Sequence, residues 1–218
     1  MIIFNNTNSF GQIHLQASLP RGLSSYNRFK IPIVTIALVA IGLVSLAIYS
    51  YILYSRRIIR EGYFIQDGCL TITSNNVNWK NLEEHQHKIT KLRATRSVTK
   101  LCIPHGMRLS ALKSVNLSNT GIDQFAFPEN AALENLERFD LSNTQINYFA
   151  FPENATLENL KWLNLNHTRI DQFAFPENAT LEKLKRLCLN DTQIDQFAFP
   201  ENATLEKLER LDLNHTQI

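Results

Sequence analysis

From Leu109 onward the sequence repeats every 24 residues, in four full copies and one half copy. The copies read LSALKSVNLSNTGIDQFAFPENAA, LENLERFDLSNTQINYFAFPENAT, LENLKWLNLNHTRIDQFAFPENAT, LEKLKRLCLNDTQIDQFAFPENAT and LEKLERLDLNHTQI. A fixed period of roughly 20 to 50 residues marks a stacked, solenoid-like architecture, because one unit cannot bury its apolar face alone. In the copy that starts at Leu157, the side chains of Leu160, Leu163 and Leu165 have the spacing to point inward around a short strand. Lys161, Trp162, Asn164, Asn166 and His167 then face solvent. Ile170, Phe173 and Phe175 bring the chain back across the far side, and Pro176 marks a corner before the next unit. Stacking the copies predicts a spine of Phe125, Phe149, Phe173 and Phe197.

The segment Leu-x-x-Leu-x-x-Leu-x-Leu, followed by a polar ladder position and a further apolar residue, resembles the leucine-rich repeat family over residues 109–218. The resemblance implies an α/β-type leucine-rich repeat solenoid, with parallel strands on the concave face and a mostly irregular convex side. The family places Asn at the ladder position, whereas this chain has Thr120, Thr144, Thr168, Thr192 and Thr216. A Thr hydroxyl can also satisfy neighbouring backbone groups, so a weaker ladder is expected.

Residues 85–108 read as a degenerate first repeat: Val98, Leu101, Pro104 and Met107 precede Ile122, Phe125, Pro128 and Ala131 by 24 positions. Ile89, Leu92 and Ala94 fit the same frame only after deletion of one residue. Residues 55–84 are expected to form a juxtamembrane segment and amino-terminal cap. Within them YFIQDGCLTI carries a hairpin signal at Asp67 and Gly68, and VNWKNLEEHQHK reads as a short polar helix running into the first repeat. The half copy ending at Ile218 leaves the last turn without a polar cap, which suggests self-association through that open end.

Residues 31–54 contain no charged side chain and are flanked by Arg28 and Lys30 before and Arg56, Arg57 and Arg60 after. At about 1.5 Å per residue the stretch is long enough for a bilayer core of roughly 30 Å, so one transmembrane helix is expected, with the lipid bilayer as its partner. Residues 1–30, rich in Asn, Ser and Gln, look like a flexible tail. With Arg21 counted, three basic residues on each side leave the orientation tied under the positive-inside rule.

The net charge of +2 conceals a split, since all six Lys/Arg of residues 1–60 are unopposed and the remainder carries 16 bases against 20 acids. A mildly acidic repeat domain argues against nucleic acid as a partner. Cys69, Cys102 and Cys188 are too widely spaced for a disulfide framework or a zinc pattern. His85 and His87 lie two apart on a helix and would not converge on a metal; His167 and His215 are two turns apart with Asp191 between them, a polar ladder. The absence of a glycine-rich phosphate loop or nucleophile elbow predicts neither enzyme activity nor a cofactor.

The binding surface is expected on the strand face. One column reads Ser114, Arg138, Trp162, Arg186 and Arg210 at successive turns. Lys161 and Lys185 lie in the adjacent column, and Asn164 and His167 extend the same face. An aromatic set among arginines has the composition of a protein interface, and its basic neighbours favour a partner with an acidic surface.

Overall fold

The short apolar-centred segments of the repeat become strands in a computed structural model, which describes residues 43–53 and 61–218. They are β5 (Ser114–Asn116), β7 (Arg138–Asp140), β8 (Trp162–Asn164), β9 (Arg186–Cys188) and β10 (Arg210–Asp212). The central residues Val115, Phe139, Leu163 and Leu187 are fully buried, and the side chains before them are exposed or half-buried, as strand alternation requires. These strands pair in parallel at an offset of 24, so that Arg138, Trp162, Arg186 and Arg210 are Cα partners in succession. The result is a parallel β-solenoid.

Upstream, β3 (Lys91–Ala94) pairs with β5 through Leu92 and Val115, an offset of 23 that is the missing residue of the degenerate repeat. On the far side β4 (Lys100–Cys102) pairs with β6 (Gln124–Ala126) at the full offset of 24, Leu101 facing Phe125. The hairpin is formed by β1 (Tyr63–Gln66) and β2 (Cys69–Ile72), antiparallel, with a two-residue turn. Asp67 and Gly68 have φ of 50° and 72°, the left-handed pair that a type I′ turn needs. β2 continues in parallel with β3, so the hairpin extends the main sheet to eight strands. The expected polar helix is a 3₁₀ segment, Trp79–Lys88. Its N-cap Asn78 makes no side-chain capping bond and Leu82 is its one buried residue, so it lacks the apolar stripe that stabilises an α-helix.

Residues 62–218 contain strands, turns and this 3₁₀ segment but no α-helix. The helical half of the expected α/β class is therefore not formed; the return side holds the short strands β4 and β6 and is irregular in the turns after them.

The threonines act differently from a ladder between turns. Thr120, Thr144, Thr168 and Thr192 are buried, and each hydroxyl donates to the carbonyl three residues back, at 2.6 to 2.8 Å. A net contribution of about 1 kcal/mol for each such bond is reasonable. The residue before each threonine has φ between 54° and 57°: Asn119, Asn143, His167, Asp191 and His215. Asn, Asp and His tolerate the left-handed region better than other side chains, which explains why this column is never apolar. The main chain makes the connection between turns, the N–H of Asn119 donating to Ser142 and that of His167 to Asn190, both at 3.0 Å.

The phenylalanine spine is present, with Phe125, Phe149, Phe173 and Phe197 stacked at 6.0 to 6.5 Å between ring centroids. A second column, Phe127, Phe151, Phe175 and Phe199, runs beside it at 6.0 to 6.4 Å and meets the first edge to face within each turn. These spacings exceed the roughly 4.8 Å of a strand ladder. Turns held further apart on the ring side bend the stack toward the strand face, and the far-side ladder ends at β6.

Residues 43–53 are helical, with Leu43, Val44, Leu46, Ile48, Tyr49, Tyr51, Ile52 and Leu53 exposed. The expected membrane span, 31–54, falls mostly outside the described residues, as does the tail 1–30. Among the described residues no helix is long and apolar enough to cross a membrane.

Candidate functional site

The strand face carries a groove of about 520 Å³ lined by Arg138, Lys161, Trp162, Lys185, Arg186 and Glu209. Strand register explains the grouping, since β7, β8 and β9 bring Arg138, Trp162 and Arg186 side by side while the preceding residues form the adjacent row.

Within that row the charges are paired between turns. Lys161 Nζ lies 2.7 Å from Glu137 Oε2, and Lys185 Nζ lies 2.8 Å from Glu209 Oε1. The hydrogen bond from each lysine holds its glutamate below the usual carboxylate range. Arg210 is drawn along its own strand to Asp212, Nη2 to Oδ2 at 2.7 Å, and does not line the groove. The two lysines of the adjacent row and Arg210 are thus neutralised, while Arg138 and Arg186 keep their charge. Arg186, exposed, has no ion-pair partner among the described residues.

Trp162 is held in place. The Arg138 guanidinium carbon sits 5.1 Å from the centroid of its ring, a cation-π contact. The Cys188 thiol, one turn on from Asn164, is buried and pushed up by that burial, with the neighbouring Trp162 opposing the shift. Cys188 and Glu209 are not among the contact residues expected from the sequence, yet the 24-residue frame places Cys188 one turn after Asn164 and Glu209 one turn after Lys185.

Asn164 and His167 stand apart from the groove. Asn164 Oδ1 accepts the Asn166 N–H at 3.2 Å. His167 and His215 both turn Nδ1 to the Asp191 carboxylate, at 3.4 and 2.9 Å, which is the polar ladder expected of this column. No group of three or more metal-ligating side chains occurs among the described residues. The Asn190 amide, at 3.0 Å, and then His215 hold the Asp191 carboxyl below its ordinary value. A lowered folded value means that this contribution to stability is complete above the unfolded value, about pH 4, and is lost as pH falls through the folded one. Asp191→Asn should therefore lower the unfolding midpoint at pH 7, and the gap to the parent should close on acidification. A gap constant from pH 7 to pH 2 would contradict the role given to this carboxylate.

A larger depression, about 810 Å³, lies on the return side and includes Tyr148, Gln172, Asp195 and Gln196 above Phe149, Phe173 and Phe197. Its lining is mainly copies of three consecutive repeat positions, and it follows from the wide ring spacing. The smaller groove is the better candidate, because unlike residues converge there. No protein-family model matches the chain, and no curated protein matches it either.

Proposed function

We propose that the chain is a membrane-anchored leucine-rich repeat protein that binds a protein partner through its strand face and has no catalytic activity of its own. The groove around Trp162 carries the reading: a fixed aromatic side chain with Arg138 and Arg186 on either side in the strand register. Aromatic and arginine side chains dominate interface energetics, and uncompensated positive charge suits an acidic surface. A phosphate track for nucleic acid would need a row of free cations; here both lysines are engaged by glutamates. Catalysis finds no support in the groove, since the one nearby thiol, Cys188, is buried and its deprotonation is disfavoured.

The anchor reading rests on the charge-free stretch 31–54 and on the apolar side chains exposed around helix 43–53. A helix apolar on all sides matches lipid better than water. The full chain should resist extraction by alkaline carbonate and require detergent. Proximity labelling from the intact chain in membranes should mark a set of proteins that shrinks when Trp162 is replaced by alanine. Release by carbonate would remove the anchor; an unchanged labelled set would remove the strand face as the binding surface.

A further inference from the structure

We infer that the groove accepts a short peptide segment in which one carboxylate adjoins a bulky apolar side chain, the carboxylate meeting Arg186 and the apolar group packing on Trp162. The inference rests on the strand face being the binding surface and adds the chemistry of what that surface selects.

Charge pairing is the first argument. Of the four cations that line the groove, Lys161 and Lys185 each hold a glutamate within 2.8 Å, and Arg138 lies over the indole ring. Neither Arg138 nor Arg186 has an ion-pair partner among the described residues, but the Arg138 guanidinium is turned onto the indole, so Arg186 is the exposed cation whose fork is open to an anion. A guanidinium presents a planar fork that matches a carboxylate in two parallel hydrogen bonds.

The second argument is the fixed aromatic. Arg138 packs on the half-buried ring of Trp162, so little side-chain freedom remains to be lost on binding. Such a surface gains most from an apolar group that removes it from water. The third argument is size: about 520 Å³ falls in the range of small-ligand pockets, enough for adjacent side chains of an extended segment. A polyanion would leave the indole uncovered, and a purely apolar segment would leave Arg186 unmatched.

The test uses the full chain in detergent with Trp79→Phe, which leaves Trp162 as the sole tryptophan and its emission as the readout. The probes are capped hexapeptides of Gly and Ser that carry Phe-Glu, Ala-Glu or Phe-Gln at the centre, with poly-glutamate alongside. Phe-Glu should shift the emission saturably, and the other two hexapeptides should bind roughly tenfold more weakly or worse. Arg186→Gln should abolish the preference for Glu over Gln while keeping that for Phe over Ala. Lys161→Gln should change neither preference. Equal binding of Phe-Glu and Phe-Gln overturns the inference, as does poly-glutamate binding as tightly per site as Phe-Glu. If no peptide binds while Trp162→Ala still shrinks the labelled set, the inference fails and the strand-face reading stands. If that set is also unchanged, both fail.

Discussion

Replacing Phe139 with alanine should lower the unfolding free energy by about 3 to 5 kcal/mol, the largest loss expected from any single side chain of the solenoid. Phe139 is fully buried at the centre of β7, where the adjacent copies carry Val115 and Leu163. Its ring approaches those of Phe149, Phe151, Phe125 and Phe127 at 4.8, 5.4, 5.7 and 5.7 Å, so it joins the strand side of the core to both phenylalanine columns. Alanine would leave a cavity that the close-packed turns cannot collapse around. Phe139→Leu, the residue of the next copy, should cost clearly less because it keeps much of the volume. Denaturant unfolding followed by circular dichroism measures both. A loss below about 1 kcal/mol for the alanine variant would mean that the ring is not packed as described.

Trp162→Ala should weaken binding of a captured partner by roughly 2 kcal/mol, about 30-fold, while leaving the fold intact. The indole is half-buried at the surface, whereas the strand's packing comes from the fully buried Leu163. Stability should therefore change little as affinity falls, mainly through faster dissociation. Arg138→Gln and Arg186→Gln should act instead on the association rate and its dependence on salt. Lys161→Gln should do less than either, since Lys161 is already held by Glu137 at 2.7 Å.

The repeat makes the turn spacing legible in the sequence. A period of 24, with one residue missing between Leu92 and Val115, is the register observed. The inward set Leu160, Leu163, Leu165, Ile170, Phe173 and Phe175 followed from alternation and is buried. The threonine hydroxyls do satisfy neighbouring backbone, but each does so within its own loop, and main-chain bonds link the turns there. The left-handed residue before each threonine could have been read from the run Asn, Asn, His, Asp, His in that column, residue types that share tolerance for positive φ. The site was half legible. Its columns came from the period, but the pairing of Lys161 with Glu137 and of Lys185 with Glu209 needed side-chain directions, and these leave only the two arginines of the groove without an ion pair among the described residues.

The most direct test of the binding account compares the two faces of one solenoid on one partner. Trp162 opens the strand groove and Tyr148, 65% exposed, opens the larger depression on the return side. Both are surface aromatics, so the truncations remove comparable groups. Calorimetric titration of a partner captured by the intact chain should give an affinity about 30-fold weaker for Trp162→Ala and unchanged for Tyr148→Ala. The reverse pattern, with Tyr148→Ala costing the affinity and Trp162→Ala silent, would contradict the account and move the working surface to the return side.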